Sequence, residues 1–329
     1  MTTSGKWWDI NKILSYNKLL NFVVGLRGGG KTYGSKKKVI QNFIRKHKQF
    51  VYIRRYKSEM REAKKKFFDD VKQEFPDLNF KIVGNTALID DQIAGFFITL
   101  SISSTFKSVP FPDVNFIIFD EFLIDKSTFR YLPNEVTVFL DCVETIFRNR
   151  DDGTILCIGN AISFSNPYFL YFSIVQTGKE FFTLPNICVQ HYTNEQFIEE
   201  KYRTRFGQLV KGTEYANYSI ENNYILDSKR FIERRSKSAT FRCAIIYKGR
   251  TFGFWRDLDL GRIYCDQTYD PQSGFIFTLL AEDHKTNAIL VRHLKNNFTR
   301  EIKYAFEVGA LRFSDQVTKN LCFEILSML

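Results

Sequence analysis

The stretch richest in chemistry is Gly25-Leu26-Arg27-Gly28-Gly29-Gly30-Lys31-Thr32, which fits G-x-x-x-x-G-K-[ST]. Glycines at these spacings let the backbone curl until successive N–H groups face one point, a geometry suited to the β- and γ-phosphates of a nucleotide. A helix that follows adds the positive end of its dipole, Lys31 neutralises phosphate oxygens, and the Thr32 hydroxyl reaches a magnesium ion. A glycine-rich turn with no ligand is the plain alternative. The position between an apolar strand and a predicted helix argues against it.

A triphosphate site also needs an acid for its metal. Phe116-Ile117-Ile118-Phe119-Asp120-Glu121 is an apolar run ending in two carboxylates. Asp120 would hold magnesium through its shell of waters, and Glu121 would orient and deprotonate the attacking water. An apolar strand closed by Asp-Glu is, taken alone, more often a turn than a metal site; after the glycine loop, the functional reading gains weight. The pair resembles the Walker B element of the P-loop branch that includes motors and helicases, where the acid strand lies away from the glycine-loop strand. Arg148 and Arg150, in Ile146-Phe147-Arg148-Asn149-Arg150, are candidates for an arginine that enters a neighbouring subunit's site and stabilises transition-state charge. Their plainer role is as cations at a helix C-terminus.

The elements that must position these groups alternate. Leu20–Gly25 reads as a buried strand, Lys31–Lys48 as a helix, Gln49–Arg54 as a strand and Ser58–Phe75 as a helix, a β-α-β-α order that implies a mostly parallel sheet. Short β-like runs across Lys81–Ser101 predict an antiparallel hairpin inserted into that core. Asn115–Phe119 and Thr154–Ile158 read as further strands, with a helix over Pro133–Arg150 capped by Asn134. Composition changes after residue 206, so we expect a first domain carrying the glycine loop over 1–206, a connector over 207–228 and a second domain over 229–329. In the second domain three strands joined by turns precede helices at Phe298–Phe306 and Asp315–Met328.

Composition excludes several classes. Hydrophobic residues at 44% are too many for a disordered chain, and no apolar run approaches the roughly 18 residues of a membrane span, so no membrane partner is expected. Six scattered cysteines without a C-x-x-C pair read as reduced thiols of a cytoplasmic protein, not as a zinc site. A net charge of +11 favours a polyanionic partner. Residues 1–70 hold 18 Lys/Arg against 5 Asp/Glu, clustered at Lys36-Lys37-Lys38, Arg45–Lys48, Arg54-Arg55-Lys57 and Lys64-Lys65-Lys66, which tilts the reading from a solvated helix face towards phosphate contact.

The strings LSYNKLLNFVVGLRGGGKT, FVYIRRYK, FIIFDEF, YLPNEV, IFRNR, GNAISFSNPYFL, KGTEY and FIERRSK together resemble the DNA-packaging ATPases of the small podophages with terminal-protein-capped linear genomes, the phi-twenty-nine-like group. The likeness runs from about Leu14 to the C-terminal helix. It implies an α/β P-loop NTPase domain of the additional-strand, catalytic-glutamate type, and a smaller α/β RNase H-like domain that is a vestigial nuclease. It implies ATP and Mg2+ as cofactors, with Gly25, Gly28, Gly29, Gly30, Lys31 and Thr32 around the phosphates and Arg27 as the family's loop arginine. Asp120 and Glu121 match the metal-binding and catalytic acids, and Arg148 matches the trans-acting arginine finger. Asn160 stands where the family's coupling motif senses the γ-phosphate, and Lys57 matches a lysine acting across the subunit boundary. Thr32 replaces the serine found in some relatives, a mild change because either hydroxyl binds magnesium.

The same resemblance implies a homo-oligomeric ring, a pentamer by the family's pattern, at the procapsid portal in the host cytoplasm, driving double-stranded DNA inward. Asp257, Asp259, Asp266, Asp270, Glu282 and Asp283 lie near predicted turns rather than in an array fit for two-metal cutting. The cluster Lys229-Arg230, Arg234-Arg235 and Lys237 either touches DNA or a structural RNA or is plain surface charge. Two other functions stay open: a helicase-like or DNA-transfer ATPase on single strands, marked by a base-stacking groove, and a nucleotide-gated DNA-binding protein without turnover.

Overall fold

A strand buried on both faces reads as a continuous apolar run, and β1 (Leu20–Gly25) buries all six of its residues. The computed structural model describes residues 7–124, 131–160, 166–172, 174, 179–213, 216, 220, 231–291 and 297–328. The chain divides into two compact units, Met1–Tyr171 with Gln176–Ile225, and Phe172–Val175 with Leu226–Leu329.

Around β1 the first unit runs α1 (Ile10–Leu14), α2 (Lys31–Lys46), β2 (Gln49–Arg54), α3 (Lys57–Lys65), β3 (Phe80–Val83), β4 (Thr86–Ile89), β5 (Gln92–Thr99) and β6 (Val114–Asp120). It continues through α4 (Glu135–Phe147), β7 (Thr154–Asn160), α5 (Pro167–Tyr171), β8 (Phe181–Leu184), β9 (Ile187–Tyr192), α6 (Glu195–Arg203) and α7 (Arg205–Val210). Among the described residues nine strands form one sheet in the order β3-β4-β5-β2-β6-β7-β1-β9-β8. The pairs from β5 through β2, β6, β7 and β1 to β9 are all parallel, while β3, β4 and β8 join antiparallel at the edges. This is the α/β P-loop architecture, with the acid strand β6 separated from the glycine-loop strand β1 by β7.

Period-two alternation sends strand residues to two aliphatic and aromatic layers. Val23, Phe50, Tyr52, Phe116, Ile118, Leu156 and Ile158 bury in one cluster with Ile13, Val39, Ile40 and Phe43 of the helices. On the other side Phe22 and Phe119 meet Phe122, Phe139, Tyr168 and Phe169, with ring centroids 5.2–6.2 Å apart. Much of the aromatic richness is therefore interior packing.

Three expectations change. The predicted hairpin is not an insertion but the sheet's own margin, because β5 pairs parallel with β2 and carries β4 and β3 beyond it. The helix expected to reach Phe75 stops at Lys65, where Phe67 stacks on Phe50 at 5.3 Å and Phe68 on Phe80 at 4.6 Å. A continuous helix would turn those adjacent rings about 100° apart. The connector expected from Gly207 begins inside α7, whose Thr204 cap accepts the Gly207 N–H at 3.0 Å.

The second unit holds a six-stranded sheet of β10 (Thr240–Tyr247), β11 (Arg250–Asp257), β12 (Arg262–Asp266), β13 (Ile276–Thr278), β14 (Ile289–Leu290) and β15 (Leu311–Phe313), with helices α8 (Asn297–Glu307) and α9 (Gln316–Met328). The order is β14-β13-β10-β11-β12-β15. β10, β11 and β12 form the antiparallel meander expected from sequence, and β13 and β15 add to its two sides in parallel. A three-strand meander continued in parallel beside its first strand is the RNase H-like arrangement. Among the described residues no helix is long and apolar enough to cross a membrane.

Candidate active site

The glycine loop leaves β1 where there is no room for a side chain: a Cβ at Gly25 would lie 2.0 Å from the Tyr192 carbonyl oxygen. At its other end Gly30 caps α2 with φ 88°, a left-handed backbone that glycine adopts without steric cost. Lys31 is buried, and its ammonium donates to the Gly25 and Leu26 carbonyls at 2.9 and 2.7 Å. Burial lowers its pKa to about 7, against the pull of Asp120 and with a further push from Lys201. The amine is thus held by carbonyls of its own loop.

Across the sheet, β6 delivers Asp120 to the same place. The Thr32 hydroxyl donates to Asp120 Oδ1 at 3.3 Å, joining residues 88 positions apart. Hydroxyl and carboxylate are hard oxygen donors of the kind magnesium takes, so this pair fits the expected ion. Tyr52 also donates to Asp120, and burial followed by the Asp120 charge raises its pKa well above the usual value, which keeps it a donor.

Glu121 follows in a turn with φ 58°, a left-handed conformation that costs a non-glycine residue about 1–3 kcal/mol. Arg55 holds that turn in place. Buried to 1% exposure, it donates to the Glu121 and Phe122 carbonyls at 3.2 and 2.6 Å and forks onto Glu135 at 2.7 and 2.8 Å. Tyr168 donates to the same Glu135 at 2.8 Å. Arg54 reaches both acids: Nη2 lies 2.8 Å from Asp120 and Nη1 2.6 Å from Glu121. Burial opposes its charge, but Asp120, Tyr52 and Glu121 outweigh that and raise its pKa.

The remaining expected residues are placed as follows. Asn160, at the end of β7, is in register with Gly25, so it borders the loop directly. Arg27 and Gly28 stand exposed at the loop tip, with the Arg27 carbonyl accepting from Lys201 at 2.7 Å. Arg148 is exposed just past α4, whereas Arg150 donates to the Phe111, Pro112 and Ile146 carbonyls and is occupied locally. Lys57 is exposed at the first turn of α3.

The family follows from the whole length of the chain. A family model described as Podovirus DNA encapsidation protein (Gp16) matches residues 2–329. The chain belongs to that family. It is 40% identical over 321 residues to the DNA packaging protein of Bacillus phage phi29, covering 97% of this chain and 96% of that one. It is similar in structure to the bacteriophage Phi-29 viral genome packaging motor assembly, with a TM-score of 0.81 and 39% identity over 98% of this chain and 99% of that chain. The N-terminal domain of the DNA packaging ATPase from bacteriophage phi29 matches with a TM-score of 0.55 and 40% identity, over 58% of this chain and 98% of that domain.

Several basic residues expected to meet phosphate are paired within the chain instead. Lys36 is buried with its ammonium 2.6 Å from Asp70, Lys37 pairs with Glu74, and Arg54 and Arg55 serve the acids described above. Lys64 is half-buried and donates to Gly84 O and Asn85 Oδ1, while Lys65 is exposed beside Glu62. In the second unit Arg234 is exposed; Arg235 lies 3.5 Å from the Trp255 ring centroid and 3.5 Å from Asp266. Lys229 and Arg230 fall outside the described residues. The turn acids cap their own neighbourhoods: the Ser236 hydroxyl, the Leu260 N–H and the Ser238 hydroxyl hold Asp257 down to about 2, and Asp283 accepts the N–H groups of Lys248 and Gly249.

Reading by residue type missed Arg54, Arg55, Tyr52 and Glu135 as site residues. The signal available was position: Tyr52 and Arg54 close β2, the neighbour of the acid strand, and point the same way at a spacing of two.

Proposed function

We propose that this chain is a magnesium-dependent ATPase that packages viral double-stranded DNA, acting as one subunit of a homo-oligomeric ring, a pentamer, at the portal of a procapsid in the host cytoplasm. The approach of Thr32 to Asp120 at 3.3 Å, across the intervening strand β7, carries the reading. It gives a phosphate-binding loop and a metal-binding acid one shared point, with the base Glu121 next in line.

In this reading the loop N–H groups and Lys31 hold the phosphates, Lys31 moving out from its carbonyls as negative charge arrives. Thr32 and Asp120 hold magnesium, which when bound neutralises charge on the phosphate oxygens. Glu121 orients and deprotonates the attacking water once released from Arg54, and Arg27 and Asn160 read the γ-phosphate. Exposed Arg148 and Lys57 act on the neighbouring subunit's site. Residues 1–206 form the motor and 229–329 a nucleic-acid-contacting domain with no cutting role, Asp257, Asp266, Asp270 and Asp283 each accepting backbone N–H groups of turns. Lys64, Lys65, Arg234 and Arg235 are the remaining candidates for contact with DNA or a structural RNA.

Purified chain, procapsids and duplex DNA should give ATP-dependent protection of the DNA from nuclease. Stimulation of ATP hydrolysis by single strands but not by duplex would instead favour the helicase-like reading.

A further inference from the structure

We propose that Trp7, backed by Phe197, is the platform on which the nucleotide base stacks. This rests on the ATPase reading and concerns the end of the ligand away from the acids. β7 and the acid strand β6 lie on one side of β1, and β9, which leads into α6, lies on the other. A triphosphate whose terminal phosphate faces Asp120 and Glu121 therefore extends its α-phosphate and base towards the β9 side.

Trp7 stands there. A Cβ at Gly30 would lie 3.5 Å from Trp7 Cε3, and one at Gly28 would lie 3.6 Å from Phe197 Cζ, so the two rings border the glycine loop at adjoining points. They meet edge to face, with centroids 5.8 Å apart and planes at 60°. Trp7 nonetheless keeps 51% of its surface exposed, while Trp8 is buried. Trp8 fixes the segment: its backbone N–H donates to the Gly29 carbonyl at 3.0 Å and its indole N–H to Gln190 Oε1 at 2.8 Å. The indole of Trp7 is thus held at the loop's rim by an anchor one residue away, which limits the ordering cost of stacking. Stacking on an aromatic face tolerates any base. Trp7 accordingly supplies affinity rather than a choice among bases.

The test compares wild type with Trp7→Ala and Trp7→Phe, titrating the magnesium complexes of a non-hydrolysable ATP analogue and of inorganic tripolyphosphate in a calorimeter. Trp7→Ala should weaken the analogue about 5- to 100-fold and leave tripolyphosphate unchanged, and Trp7→Phe should regain most of the loss. Unchanged affinity for the analogue in Trp7→Ala would overturn the inference. So would an equal loss for both ligands, since that means a distorted loop. Wild-type protein that binds neither ligand would defeat the ATPase reading itself, and this inference with it.

Discussion

Arg54 Nη2 lies 2.8 Å from Asp120 Oδ2, and the other end of the same guanidinium holds Glu121. Two adjacent carboxylates at a strand end repel each other and attract a cation, and in this arrangement a side chain of the protein supplies it. A magnesium ion bound at Asp120 must share or displace that charge. In Arg54→Met, Asp120, only 3% exposed, keeps the Thr32 and Tyr52 hydroxyls but loses its ion-pair partner, a change of a kind that costs up to about 3–5 kcal/mol. The variant should melt lower without magnesium and gain more than wild type when magnesium chloride is added. Equal gains would mean that Arg54 and the ion do not compete.

Glu121→Gln preserves shape and the φ 58° turn, which Arg55 holds through backbone carbonyls rather than through the side chain. It removes the carboxylate charge, and with it the proton acceptor and the ion pair to Arg54. Nucleotide affinity should stay within a few-fold of wild type while turnover falls about 10²- to 10⁴-fold. Hydrolysis near the wild-type rate would remove Glu121 from its role.

Exposed Arg148 contributes little to its own fold, so Arg148→Ala should change stability by less than about 0.5 kcal/mol. Ring activity should nevertheless collapse. Mixing it with Glu121→Gln should restore part of the activity, since interfaces that pair an intact Glu121 with an intact Arg148 then form. A mixture that stays inactive at every ratio would place Arg148 outside the neighbour's site.

How far residue type carried the reading depends on where each partner lies. β1 and β2 were legible to the residue because apolar runs buried on both faces have abrupt ends, and the acids were legible because they close such a run. β9 was missed: Gln190 and His191 break the apolar pattern of Ile187–Tyr192, although Gln190 is buried and bonded to Trp8. Arg54 and Arg55 were counted among surface cations because their partners stand 66 and 80 positions away. A charge cluster read along the chain does not distinguish a side chain bound for solvent from one bound for a buried carboxylate.

The Arg55–Glu135 pair predicts a large stability effect. Both side chains are almost wholly buried, and Tyr168 shares the carboxylate. Glu135→Ala would leave a buried guanidinium with only carbonyl partners, at a cost of about 3–5 kcal/mol, read as a lower urea midpoint. Arg55→Lys should recover little, because one ammonium does not fork onto Glu135 and also hold the Glu121 and Phe122 carbonyls. A variant as stable as wild type would show that the strained turn at Glu121 holds without this pair.

His191 predicts a dependence on pH. It lies in β9 opposite Val24 of β1, and burial lowers its pKa below the ordinary 6.5. The folded chain therefore refuses a proton that the unfolded chain accepts. Its contribution is fully present above about pH 6.5 and is lost as pH falls from there towards the lower folded value. The slope from one such proton is at most about 1.4 kcal/mol per pH unit. Urea midpoints at pH 7.5 and 5.0 should fall further for wild type than for His191→Gln, which carries no titrating ring. The same acid sensitivity in both proteins would assign the loss to the carboxylates and clear His191 of it.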